Sequence, residues 1–421
     1  MRKFYLFVML CFTVSVVQSQ PFSATYTFAN VVSGSSGTTD PTPVPTASGL
    51  TFGSFNAVGT PANPNAGGRF SFTDWSLGAT NGSDVFTGGI VTSEYYQVTL
   101  TPSVNYSIDI NTITFTLQRS GTGIRQYSVR ASLDAFGANL PASINPANAN
   151  LSVVPTNIFQ VTDASTGANT GSTITLDATF DNLTSAVTFR FYGWNAEGAG
   201  GTFSIDDVTF NGVATFSGPI TPYYSKAVGN LTTLATWGTN TDGTGTAPSN
   251  FTADGQVFNV VNSGSVTLDA NWTVSGASSY VVVGDGITPQ TLIIPDIAVL
   301  TGTVNVSTLG TLRLENSTLP TFGTLATGST VNYAQTAAGY AVPAGGTYSN
   351  LSITNGTKTV SGNTITVNGN LVVDGVTAFN GATSTPFSTI NLAGNFTLQN
   401  SAAFDPSPGG DGGRITINCT G

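Results

Sequence analysis

The chain has 421 residues, with 11 Lys+Arg against 21 Asp+Glu, no His, and charged residues making up only 8%. A formal net charge of -10 repels phosphate backbones, so nucleic acid is not an expected partner. The absence of His excludes Ser-His-Asp and Cys-His catalysis and every His-ligated zinc site.

Arg2 and Lys3, the apolar run from Phe4 to Val17 and the small residue Ser19 read as a secretory signal over 1–19, cleaved after Ser19. The run is too short for a good membrane span, and no later segment reaches the ~20 apolar residues one needs. Leu10 before Cys11 is too large for the usual lipid-attachment signal. Loss of Arg2 and Lys3 leaves 9 basic against 21 acidic residues, a mature net charge of -12. Cys11 leaves with the signal and Cys419 stands alone, so no intrachain disulfide is expected. The 40% hydrophobic fraction is arranged with period two and no helical stripe, which predicts an exported all-β protein of two domains.

Residues 20–216 read as a jelly-roll β-sandwich module, because strands of alternating pattern are joined by irregular connections. The segment from Thr112 to Leu133 predicts a hairpin: Ile113, Phe115 and Leu117 face one way, Ser120 to Gly123 turns, and Tyr127, Val129 and Ala131 return. Arg119, Arg125 and Arg130 surround that turn, where they brace its carbonyls or hold an acidic sugar; bracing is the expectation. In AVTFRFYGWN, Val187, Phe189 and Phe191 form an inward face and Arg190, Tyr192 and Trp194 an outward row suited to stacking on sugar rings, unless a loop covers it. In TFSIDDVTFNG, Phe203 and Ile205 share one face while Val208 and Phe210 demand the other, so a bulge at Asp206-Asp207 is expected. The two prolines of Ser217 to Pro222 mark 217–222 as a linker.

From 223 to 421 the grammar is repetitive. Ile365, Val367, Gly369, Asn370, Leu371 and Val373 recur as Ile390, Leu392, Gly394, Asn395, Phe396 and Leu398. Val266, Leu268, Ala270, Asn271, Trp272 and Val274 form a third copy, expected at an equivalent coil position. The 25-residue shift predicts a β-solenoid, in which each coil buries its apolar face only by stacking on the next.

Three stretches of the second half, YYSKAVGNLTTLATWGTNTDGTGTAPSNF, NWTVSGASSYVVVGDG and YSNLSITNGTKTVSGNTITVNGNLVV, resemble the repeat regions of large secreted, adhesin-like surface proteins of Bacteroidetes. LQRSGTGIRQYSVRASLDAF and VTFRFYGWNAEGAGGTFSIDDVTFNG resemble the N-terminal jelly-roll modules of the same proteins. The resemblance implies surface export, usually by type IX secretion with a C-terminal sorting domain, which is not seen before Gly421. It also implies extracellular glycans or cell-surface components as partners. The strand holding Asp206 and Asp207 resembles the last strand of carbohydrate-binding jelly rolls, which implies a structural Ca²⁺ completed by carbonyls near Tyr26 to Asn30. No enzymatic activity is expected. The rival reading is a polysaccharide lyase or hydrolase on the solenoid, but Asp269, Asp285, Asp296, Glu315 and Asp374 show no recurring spacing and read as turn acids.

Overall fold

A computed structural model describes residues 19–337, 339–360, 364–375, 378–381, 388–406 and 415–419. All of the expected signal but Ser19 lies outside them, as do Val376 and Thr377 of the repeat. The protein is all-β, and the chain divides into two compact units, 1–218 and 219–421.

Eight strands build the first unit: β1 (Ser19–Tyr26), β2 (Tyr95–Pro102), β3 (Tyr106–Gln118), β4 (Ile124–Ala131), β5 (Ile158–Val161), β6 (Asn169–Thr175), β7 (Val187–Ala196) and β8 (Phe203–Phe216). They form two antiparallel sheets, ordered β1-β8-β3-β6 and β2-β7-β4-β5, extended by short flanking strands. This order, in which the chain repeatedly crosses from one sheet to the other, is that of a jelly roll. Alternation turns Phe22, Phe115, Phe189, Phe191 and Phe210 inward, where rings of opposite sheets meet edge-on or tilted at 5.2–6.3 Å (Phe115–Phe191, Phe189–Phe210, Phe22–Phe52). Each such buried ring contributes about 2–3 kcal/mol of transfer free energy.

The expected hairpin is not one. β3 pairs with β8 and β6, β4 with β7 and β5, and the 119–123 turn crosses between sheets. Phe115 and Tyr127 therefore touch across the core, at 6.0 Å, rather than along a ladder. Alternation records which side chains turn inward, and both strands of an arch turn them inward just as a hairpin does.

The second unit is a β-solenoid of about six turns. One face is an unbroken parallel sheet of seven strands, from Ser265–Thr267 through Leu371–Asp374 to Phe396–Gln399. Val266, Leu292, Leu312, Val331, Leu351, Leu371 and Phe396 stack in one column up it, so a coil takes 19 to 26 residues. The other faces are each made in two sections that do not pair with each other. One interruption falls between Thr321–Leu325 and Thr347–Tyr348, where Leu325, Thr327, Tyr348, Ser349, Asn350 and Asn368 line a cleft of about 300 Å³. Trp237, Phe251, Phe258 and Trp272 pack ring to ring on the first coil and close its core at that end.

The 365–373 and 390–398 repeats stack in register, with Ile365 on Ile390, Val367 on Leu392, Leu371 on Phe396 and Val373 on Leu398. The third copy, 266–274, departs from this expectation. Val266 lies on the unbroken face and Trp272 on the next, so this copy turns a different corner. Its Asn is used the same way nonetheless. Asn271 Oδ1 accepts from Val299 N at 2.9 Å, Asn350 Oδ1 from Asn370 N at 2.9 Å, and Asn370 Oδ1 from Asn395 N at 3.0 Å.

Candidate functional site

The outward row of β7 sits at the centre of the β2-β7-β4-β5 sheet, with its inward partners Val187, Phe189 and Phe191 fully buried. The structure corrects the open-platform reading of that row. Tyr192 and Trp194 are only 1% and 2% exposed, and only Arg190 remains half-buried. Trp194 donates its indole N–H to Gln126 Oε1 at 3.1 Å, and Asn195 Nδ2 donates to the same oxygen at 2.8 Å. Tyr95 packs edge-on against Tyr192 at 5.6 Å. What reaches solvent on this face is a ring of half-buried groups: Tyr95, Gln97, Arg130, Phe136 and Arg190.

Arg190 lies between two rings, its guanidinium carbon 4.0 Å from the Tyr95 centroid and 3.8 Å from that of Phe136. Phe136 reaches this place through two successive left-handed residues, Ala135 (φ 58°) and Phe136 (φ 61°). Arg130 steadies that loop by donating Nε to Asn139 Oδ1 at 2.8 Å and Nη1 to Phe136 O at 3.0 Å. Neither Asn139 nor Phe136 was singled out from sequence, because nothing local to residues 132–139 says that they fold over β7.

Arg119 and Arg125 brace carbonyls. Arg119 donates to Asp163 O at 2.6 Å, Gly121 O at 3.0 Å and Gly123 O at 3.2 Å; Arg125 donates to Val161 O at 2.9 Å and Ser83 O at 3.1 Å. Both side chains are fully buried and share the acids Glu197 and Asp163, while Arg125 also pairs with Asp84. Burial, then the hydrogen bond with Asp163, raises the Glu197 carboxyl, and that same hydrogen bond lowers Asp163. The Glu197 side chain is 3% exposed and that of Asp163 29%, both held by the buried arginines in one cluster. It is a fastening of the loops at one end of the sandwich. Its three acids, Asp84, Asp163 and Glu197, lie far apart in the chain, and no sequence spacing signals them.

The bulge at Asp206-Asp207 is present. Pairing of β8 with β3 shifts register between Asp206 and Thr209, Asp207 takes φ 47°, and Phe203, Ile205, Val208 and Phe210 are all fully buried. Asp207 N donates to Asp206 Oδ1 at 2.9 Å. Burial pushes the Asp206 carboxyl up to about 6, against the pull of that hydrogen bond and of Arg69. β1 lies beside β8, with Tyr26 opposite Val208, as the calcium reading requires. Among the described residues no group of three or more acids, Cys or His gathers there or elsewhere to hold a metal. Asp206 and Asp207 alone supply fewer oxygens than Ca²⁺ takes, so an ion there would need the carbonyls near Tyr26 to Asn30 as well.

On the solenoid, acids finish turns. Asp269 receives Thr232 N at 3.2 Å, Asp285 receives Ile287 N at 2.8 Å, Asp374 receives Asn400 Nδ2 at 2.7 Å, and Glu315 pairs with Arg313 at 2.8 Å. Inside the stack runs a polar column that sequence reasoning missed. Asn316 Nδ2 donates to Ala298 O at 2.9 Å, Gln335 Nε2 to Asn316 O at 3.0 Å, and the fully buried Lys358 Nζ to Gln335 O and Asn355 O, both at 2.5 Å. Burial lowers the Lys358 ammonium to about 8. Cys419 is a free, exposed thiol, and no described helix is long and apolar enough to cross a membrane. No protein-family model, curated protein or solved structure matches the chain.

Proposed function

We propose that this chain is a secreted, cell-surface structural protein of adhesin-like type, akin to the Bacteroidetes proteins it resembles. In this reading the solenoid is a spacer, and the jelly-roll module carries a binding face for extracellular glycans. The observation that supports it is the unbroken seven-strand face with its stacked apolar columns. Each added coil satisfies the backbone groups of the one before and buries another apolar residue, so the architecture makes length at nearly constant cost per residue. In the first unit, the half-buried aromatic and guanidinium groups around Arg190 are of the kind that grip sugar rings and their substituents.

Surface labelling of intact producing cells tests the location. The expected result is that an antibody to the solenoid stains unpermeabilised cells and that external protease removes the epitope; a cytoplasmic epitope would overturn the reading. A glycan array probed with the full chain tests the binding face. The rival, a lyase or hydrolase on the solenoid, requires convergent carboxylates in one cleft, and the solenoid acids described above are instead engaged singly at turns. Release of new reducing or unsaturated ends from a polysaccharide panel by the purified chain would favour that rival.

A further inference from the structure

The surroundings of Arg190 point to more than a generic sugar face. β7 and β4 pair so that Arg190 stands directly opposite Arg130, and like charges facing each other across a ladder are destabilising. Both project from the outer side of the sheet. In a chain of net charge -10, carboxylates are plentiful, and Arg119, Arg125 and Arg313 each have one. Among the described residues no carboxylate forms an ion pair with Arg130 or Arg190.

The geometry at Arg190 is specific. Tyr95 and Phe136 cover both faces of the guanidinium at 4.0 and 3.8 Å, which leaves only its edge, where the N–H groups lie in plane. Nε is buried and has no hydrogen-bond partner, and no described acceptor bonds the other two nitrogens. A guanidinium held flat between rings, with its fork unoccupied, has already lost the side-chain freedom that binding would otherwise cost. Next to it, Ser128 is 1% exposed with a hydroxyl that also lacks a partner. Ser128 faces Tyr192 across the ladder, on the same side of the sheet.

From this we infer that Arg190 is a receptor for an anionic substituent, a carboxylate or sulfate, on an extracellular saccharide. A planar or tetrahedral oxyanion takes two parallel N–H bonds from the fork, while Tyr95 and Phe136 offer ring edges to the sugar. Arg130 is the positioning residue: it holds Phe136 in place through the Phe136 carbonyl and Asn139, and adds a second positive charge beside the first. This inference rests on the glycan-binding reading above and narrows it to acidic glycans.

The test is calorimetric titration of the full chain with a short oligogalacturonate, its fully methyl-esterified form and a sulfated galactan oligomer. Esterification removes the charge and keeps the sugar. We expect an acidic oligomer to bind about tenfold or more tightly than the ester, the scale of one charge-assisted hydrogen bond, and this preference to shrink as salt is raised. Whether uronate or sulfate is preferred names the source of the anion. Arg190→Gln should abolish the preference, Arg190→Lys should keep part of it by charge alone, and Phe136→Ala should weaken acidic binding with the melting temperature of the full chain nearly unchanged. If Arg190→Gln lowers the melting temperature, the Lys variant decides the matter, since a merely structural arginine would give the same acid-to-ester ratio in both. Equal binding of acid and ester overturns the anionic site and leaves the glycan reading standing. Failure of every saccharide, neutral or acidic, overturns both.

Discussion

Lys358 and Asp206 are single residues held against their own ionisation, and each leaves a signed trace in stability. Lys358 is charged in both folded and unfolded chains at neutral pH, but the folded ammonium loses its proton near 8 and the unfolded one near 10.4. Between those values the unfolded chain binds more protons, so stability should rise with pH. Urea unfolding at about pH 7.5 and about pH 9.5 should show a higher midpoint at the second, a gain that Lys358→Met removes. Burial raises the Tyr333 and Tyr348 hydroxyls, and the stability they bring is lost as the unfolded tyrosines ionise near 10, which closes the window from above. Asp206 has the opposite sense. Its folded carboxyl titrates near 6 and the unfolded one near 3.9, so stability falls as pH rises through that interval and stays lower at pH 7. Asp206→Asn keeps an acceptor for Asp207 N and should stabilise the chelator-treated protein at pH 7 by a few tenths to about 1 kcal/mol, allowing for solvent screening. A melting temperature that rises with calcium in the native chain, and no longer does so in Asp206→Asn, would place a cation on the bulge.

At the scale of the element, the corner between stacked strands is held by Asn side chains and by glycines with no room for a side chain. A Cβ on Gly394 would lie 2.4 Å from Gly369 O, a backbone atom that cannot swing aside. Asn370→Ala should cost about 1 kcal/mol, the worth of one hydrogen bond to Asn395 N. Gly394→Ala should cost more, and the order of the two melting temperatures is the check. The Gly-Asn pair was legible from the repeat, and so was the bulge, because Phe203 and Ile205 could not share a core with Val208 and Phe210 without one. The false hairpin and the displaced third copy were not. Period-two alternation reports inward and outward, and it carries no information on which sheet, or which corner of a coil, receives a strand.

For the whole molecule, the two fold types were readable from the change of rhythm near residue 220, whereas the site was readable only as an outward row. Its coverage depends on Phe136 from the loop after β4 and on Gln126 of the neighbouring strand β4, and sequence periodicity is silent on both. The solenoid core is one cluster running from Leu231 to Leu392. In such a stack each coil touches only its neighbours, so damage stays local to that unit. Leu351→Ala, in the middle of the column and fully buried, should cost about 2–5 kcal/mol in the solenoid transition. The jelly-roll signal, followed through Trp75 and Trp194, should melt unchanged.

The column of one residue per coil also fixes how the solenoid would answer a pull along its axis. Hydrogen bonds between coils then lie in series with the force and break one coil at a time. From Leu312 to Leu371 successive coils take 19 or 20 residues, so each rupture would release about 65–70 Å of chain at ~3.4 Å per residue. Drawn out between the jaws of an optical trap, this unit should give a staircase of near-equal extensions, with larger steps where Leu371 gives way to Phe396 and the coil lengthens to 25 residues. A tether built this way yields in measured increments and dissipates work at each one, where a single cooperative domain would snap.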